Sequence, residues 1–566
     1  MTAPQIVVPS LLYPAEPPAQ TGGRHASGEV DLGLASIVRA LDYDGRHARF
    51  VAGVLAELCA DPAAIVYRQD ILDDLLRLPE VAAGLAAMLP LLGELATAGR
   101  TSRWGDEIPL LQVGERLAEL ENYLACVAGL AAALDSAGAA LRAEGLLRLR
   151  AFLADTRAHP DYRRLAGELP QLRAQLDQAG SVTIGINLDA QLRPESATIV
   201  ALSPGRFAGK GSLLDRLFGE RGAADAVRGV TALYKAEQGG RQHTPEHELF
   251  RDMDRLLERV AAPVAAALSG YTRVSAAGLA ALDAELALYL GAARLAGELR
   301  AAGMALCRPE VAPAEERRCE IAGVYSLDLA LRLRAAHGPA GMAAIVPNDV
   351  ALGPDAWIAI VTGPNSGGKT TYTRAVGQAQ ALFQAGLLVP GRRARISPVD
   401  GIFTHFAAAE RLEIGGGRLD EELERLERLF RQATGASLAL LNEPLASTDH
   451  AAARALCRDI LAGLGLLGAR AIFVTHVHEL VDDLLDGESP APGVVSLVAG
   501  YTPPAGNGAE PAPSYQIAPG RPQVAGYAAE LARRHGLSLG QIAATLRQRG
   551  VDIPPAEDGE GRAAGD

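Results

Sequence analysis

Cysteine is scarce and poorly placed for covalent or metal chemistry. The chain has five, Cys59, Cys126, Cys307, Cys319 and Cys457, scattered and odd in number, with no C-x-x-C pair. That excludes a disulfide framework and offers no zinc-site spacing. Aromatic residues make up only 4% of the 566 positions. Ala and Leu fill the apolar positions instead, which favours helices. No charge-free apolar run reaches the ~18 residues that a membrane span needs. The N-terminus has no charged start followed by an apolar core, so no signal peptide is expected. The chain therefore reads as cytoplasmic, with no membrane partner. Positive charge is short as well: the net charge is −13 and the pI is near 5.5. This excludes a surface coated in basic residues for nucleic acid, but not a local basic patch.

What is present is length and apolar content. Hydrophobic residues are 49% of a chain too long for one core, so three or four domains are expected. Residues 1–28 carry Pro4, Pro9, Pro14, Pro17 and Pro18 and read as a disordered tail. Residues 29–180 are helical in pattern, with Leu, Ile and Val at three- and four-residue spacing and breaks at Pro79, Pro90, Pro109 and Pro160. Near Ser181 the period changes. SVTIGINLD and ATIVALS read as two strands of a hairpin, which opens an insertion over residues 181–245. Between Ser203 and Gln242 seven basic residues face four acidic ones. Arg206, Lys210, Arg216 and Arg221 could contact a phosphate backbone without reading sequence; a plain solvated loop is the equal alternative. Helical patterns return over residues 246–304, and an α/β texture runs over 305–545 before a flexible tail, 546–566.

The chemistry gathers around TGPNSGGKTT, Thr362 to Thr371. It contains G-x-x-x-x-G-K-[ST] as Gly363, Gly368, Lys369 and Thr370, after the apolar run WIAIV and before a helical pattern. Strand, glycine loop and helix is the context in which this motif binds nucleotide. The loop's N–H groups turn towards phosphate oxygens, and the helix adds its positive end. Lys369 would reach the β- and γ-phosphates, and Thr370 would offer its hydroxyl to Mg²⁺. The cofactors expected are ATP and Mg²⁺, with contacts from Gly363, Pro364, Asn365, Ser366, Gly367, Gly368, Lys369, Thr370 and Thr371. Downstream, SLALLNEP is an apolar strand ending in Asn442 and Glu443. Asn442 falls near the metal, and Glu443 fits the carboxylate that aligns the attacking water. ARAIFVTH is a further buried strand, and His476 at its end fits a sensor of the γ-phosphate.

From about residue 305 to 540 these elements resemble the ATPase domain of the MutS family. The stretches that carry the resemblance are VPNDVAL, TGPNSGGKTTYTRAVG, AGLLVPGRRARI, DGIFTHFAAAE, ATGASLALLNEPLASTD, FVTHVHEL and YQIAPGRPQVAGYAAELARRHGL. TGPN together with VTHVHEL separates them from ordinary ABC transporters. The upstream helices and hairpin are similar to the family's lever and clamp. The fold implied is multidomain: an α-helical lever and core with a β-containing clamp insertion, then an α/β P-loop ATPase domain of ABC type. Asn348 is implied in nucleotide binding. A homodimer through the ATPase domain is implied too, in which EIGGGRLDEEL, Glu413 to Leu423, covers the neighbour's nucleotide through Gly416, Gly417 and Arg418, with ASTD, Ala446 to Asp449, facing the partner. The chain departs from the pattern where Gly417, Arg418 and Leu419 replace Ser-Thr-Phe, Asn442 an aspartate, His405 an arginine and Ile345 an adenine-stacking aromatic. Phe218-Gly219-Glu220 lies in the insertion, outside any N-terminal wedge domain, so a form lacking the mismatch-recognition domain is expected. Two functions follow: a dimeric ATPase acting on double-stranded or branched DNA, or a nucleotide-dependent scaffold for a protein partner with weak hydrolysis.

Overall fold

The computed structural model describes residues 8–14, 28–101, 113–177, 181–188, 190–191, 194–203, 261–268, 277–364, 366–406, 418–486, 493–502, 512–522 and 536–551. The chain forms two compact units. The first takes Met1–Leu11 and Asp73–Ala287, the second Leu12–Leu72 and Leu288–Asp566.

Apart from one β-hairpin, the first unit is helical over most of its described residues, as the three- and four-residue spacing predicts. Helices Pro79–Ala86, Leu89–Thr101 and Glu144–Ala158 pack on the long helix Val113–Asp135. Leu117, Leu120, Val127, Leu130 and Leu134 of that helix are buried. Approach is close enough that a Cβ on Gly84 would lie 2.7 Å from the Ala133 Cβ. The Asp74 carboxylate accepts from Arg142 N and Ala143 N at 2.7 Å each and fixes the turn before Glu144–Ala158. Pro79–Thr97 and Val113–Asp135 are long and apolar enough in composition to cross a membrane. Their leucines are the core of this unit, and Arg116 and Glu119 form a buried 2.8 Å ion pair inside the second stretch.

The hairpin appears where alternation predicts it. Strand β1, Ser181–Leu188, pairs antiparallel with β2, Pro194–Ser203. The second strand starts three residues earlier than its apolar run suggests, since Ser196 and Pro194 extend the ladder across a register shift at Glu195. The basic segment with Arg206, Lys210, Arg216 and Arg221 lies outside the described residues.

The second unit holds the α/β texture. Its small strands are β3, Leu306–Cys307; β4, Glu310–Val311; β5, Cys319–Val324; and β6, Asn348–Leu352. Then come β7, Ile358–Thr362; β8, Val389–Pro390; β9, Arg393–Ile396; and β10, Ile402–His405. The last four are β11, Leu438–Asn442; β12, Arg470–Val474; β13, Val494–Thr502; and β14, Ala512–Pro519. The main sheet runs β10-β11-β12-β7-β13-β14, parallel except for β14. A mixed sheet, β4-β9-β5-β6, and the pair β3-β8 complete it. Every residue of β7, β11 and β12 is buried, as expected of a parallel sheet covered on both faces. Arg470 in β12 is buried too. Its Nη1 donates to the carbonyls of Arg318 and Ser397 at 2.6 and 3.3 Å, and its Nη2 to that of Pro398 at 3.2 Å.

The domain limits drawn on sequence need correction at the N-terminal side. Residues 12–72 belong with the second unit, not with a helical segment 29–180. The reason is the helix Lys369–Gln384, which is buried nearly all round. Its polar side chains are satisfied by the N-terminal backbone: Gln378 Nε2 donates to Leu32 O at 2.7 Å, Gln384 Nε2 to Cys59 O at 3.1 Å and Arg374 Nε to Asp31 O at 2.8 Å. Nor are residues 8–14 a loose tail. Leu11 and Leu12 are buried, and Arg68 Nε donates to Leu12 O at 2.9 Å.

Candidate nucleotide site

The parallel strands β7, β11 and β12 end at one edge of the sheet, and each delivers part of the site there. The loop after β7 is shaped by left-handed residues: Gly363 at φ 120°, Ser366 at φ 67° and Gly368 at φ 89°. At Gly363 no side chain fits, because a Cβ would lie 2.9 Å from Ala499 O. The helix Lys369–Gln384 starts straight from Gly368 without a side-chain cap. Its first N–H groups therefore remain for a ligand, and they carry the helix's partial positive charge.

Lys369 is buried, and its Nζ donates to Gly363 O at 2.8 Å and Pro364 O at 2.9 Å. It stands 3.5 Å from His476 Nε2. Burial lowers the ammonium's pKa from the ordinary lysine value, and the nearby Glu443 carboxylate works the other way. Thr370 Oγ1 donates to Asn442 Oδ1 at 2.9 Å, so the hydroxyl's lone pairs stay available. Glu443 follows β11 in a left-handed turn, φ 53°, with its N–H bonded to Val474 O at 2.9 Å. A non-glycine residue in that region is strained, and the β12 backbone holds it there. Its Oε1 lies 2.9 Å from His476 Nε2. That hydrogen bond holds the carboxyl below the usual carboxylate range, against the effect of burial.

A cavity of about 610 Å³ opens beside the loop, lined by Pro364, Ser366, Gly367, Gly368, Lys369, Thr370, Thr371 and Glu443. Its other wall holds Tyr325, Ile345, Asn348 and Tyr515. Asn348 lines this wall with its carboxamide already engaged: Nδ2 donates to Tyr515 O at 2.9 Å, and Oδ1 accepts from Ile517 N at 2.7 Å. It thus sets the position of β14 and of Tyr515. That tyrosine is left-handed at φ 57° and 46% exposed, with its ring 3.4 Å from the place a Gly368 Cβ would occupy. Sequence reasoning assigned no role to Tyr515 or Tyr325. The stretch YQIAP carries no local sign that antiparallel pairing with β13 brings it to the loop.

Other expected residues fall elsewhere. Asn365, Gly416 and Gly417 lie outside the described residues, and Arg418 begins the helix Arg418–Gln432. Asp449 caps the helix His450–Leu467, accepting from Ala451 N and Ala452 N at 3.1 and 3.0 Å. His405 ends β10 and is buried, with its pKa pushed down to about 4, chiefly by burial and then by Arg425.

Two protein-family models match the chain. The MutS2 N-terminal domain matches residues 60–302, and MutS domain V, the ATPase domain of that family, matches residues 359–488. The chain is 30% identical over 507 residues to a DNA mismatch repair protein MutS of a Caulobacter species, covering 82% of this chain and 53% of that one. It is 32% identical over 306 residues to an endonuclease MutS2 of Thermomicrobium roseum, covering 54% and 36%. It is 39% identical over 141 residues to a DNA mismatch repair protein MutS 2 of Halobacterium salinarum, covering 24% and 16%. The chain thus spans about half or less of the length of these relatives. Matching a MutS2 N-terminal domain over residues 60–302 and MutS domain V over residues 359–488 in succession, this chain belongs to the MutS family.

Proposed function

We propose that this protein binds ATP in the cavity beside Gly363–Thr371 and hydrolyses it, and that it works as a DNA-associated dimer in repair or recombination. One observation carries the ATP reading. Lys369, the Thr370–Asn442 pair and the Glu443–His476 pair converge on one edge of the sheet, next to an open cavity. The loop N–H groups and Lys369 bind the phosphates, with Lys369 exchanging two backbone carbonyls for phosphate oxygens. Glu443, kept ionised by His476, accepts a proton from the attacking water and aligns it with the γ-phosphate. Tyr515, with Ile345 on the same wall, gives the base an aromatic face where the family's usual stacking position is aliphatic. Magnesium, when bound, would neutralise charge developing between the β- and γ-phosphates.

The fit to that ion is partial. Thr370 can offer a hydroxyl oxygen, while its neighbour Asn442 is a neutral amide. This favours slow turnover and keeps the scaffold reading as the second one. The dimer and the DNA rest on family membership. In the dimer, Glu413–Leu423 of one subunit would cover the γ-phosphate of the other, with Gly416 and Gly417 supplying N–H donors. ATP turnover measured alone and with duplex, branched and single-stranded DNA separates the two readings. Stimulation by duplex or branched DNA supports the DNA-associated ATPase. A slow rate indifferent to every DNA supports the scaffold.

A further inference from the structure

The neutral pair Thr370–Asn442 has a consequence for how nucleotide is held. A divalent cation of the magnesium type seeks carboxylate and water oxygens, and a protein ties it down mainly through negative charge. At the end of β11 the Thr370 hydroxyl donates to the amide oxygen of Asn442, 2.9 Å away; that oxygen keeps a second lone pair but carries no net negative charge to draw a cation. The remaining polar atom of Asn442 is Nδ2, which can only donate. It repels a metal-bound water's hydrogens and suits a phosphate oxygen. Among the described residues the one carboxylate lining the cavity is Glu443, and its Oε1 is engaged by His476 Nε2 at 2.9 Å. On the phosphate side the provision is ample without any ion: Lys369, an uncapped helix N-terminus and the loop's turned backbone.

We infer that this site holds the triphosphate by direct protein contacts, so that nucleotide affinity changes little with magnesium, and that Asn442 is the residue that uncouples the two. The inference rests on the ATP-binding reading above. An aspartate at 442 would add a negative charge beside the phosphates, which a bound cation must then offset. Affinity should become metal-dependent through that one change.

The test is a calorimetric titration of the non-hydrolysable analogue adenylyl-imidodiphosphate into the wild-type chain and the Asn442→Asp variant, each in magnesium and in EDTA. The wild type should bind within about threefold in the two buffers, while Asn442→Asp should weaken about tenfold or more in EDTA and recover in magnesium. A wild-type affinity that falls about tenfold or more in EDTA overturns the inference, whatever the variant does. So does a variant whose ratio between buffers equals that of the wild type. Absence of binding by the wild type in both buffers would instead overturn the ATP-binding reading, and this inference with it.

Discussion

His476 Nε2 and Glu443 Oε1 meet at 2.9 Å across the ends of two adjacent strands. In the proposed ATPase, this contact would tie the residue that aligns water to the residue that senses phosphate. Glu443→Gln should cut turnover by about a hundredfold or more while leaving nucleotide affinity within a few-fold, because it removes a base and no phosphate contact. Single-turnover hydrolysis beside equilibrium binding checks this. His476→Ala removes the hydrogen bond that favours the ionised form, so the Glu443 pKa should rise. The acid limb of the turnover profile should then move to higher pH. An unmoved limb would detach His476 from Glu443's ionisation.

Tyr515 should matter to the base and not to the phosphates. Tyr515→Ala should weaken ATP about tenfold, in the range of one base–aromatic stack, and Tyr515→Phe should retain affinity. Tripolyphosphate should bind the wild type and Tyr515→Ala equally. Competition titrations with both ligands give the answer, and an equal loss for the two ligands would remove Tyr515 from the base subsite.

Much of this site was legible because its signals are local. Strand, glycine loop and helix are contiguous, and Glu443 and His476 each follow a short apolar run that reads as a buried strand and is one. The hairpin declared itself by alternation. The membership of residues 12–72 in the second unit did not. It rests on glutamine and arginine side chains reaching backbone carbonyls more than three hundred positions away in the chain, as Gln378 reaches Leu32. A carbonyl has no residue type, so such bonds leave no trace in sequence. Asn348 shows the same limit. The family resemblance implied a nucleotide contact for it; it lines the cavity, with its amide bonded to Tyr515 O and Ile517 N, partners that no local pattern marks.

His405 makes stability depend on acid. Its folded pKa is about 4 against an ordinary 6.5. Between those values the unfolded chain binds a proton that the folded chain refuses, so stability should fall as pH drops from 6.5 towards 4. The loss from this residue is up to about 3 kcal/mol. Above pH 6.5 it contributes no slope. Urea melts at several pH values should show a shallower acid loss for His405→Gln than for the wild type. Identical slopes would mean that His405 titrates normally.

In the proposed function, Lys369 and its loop bind the phosphates of ATP. Calorimetric titration of ATP into the wild-type chain and into Lys369→Ala tests it most directly. The variant should lose most of the affinity, about a hundredfold or more, since a buried charge facing the phosphates has been deleted. Equal ATP affinity in the two proteins would contradict it.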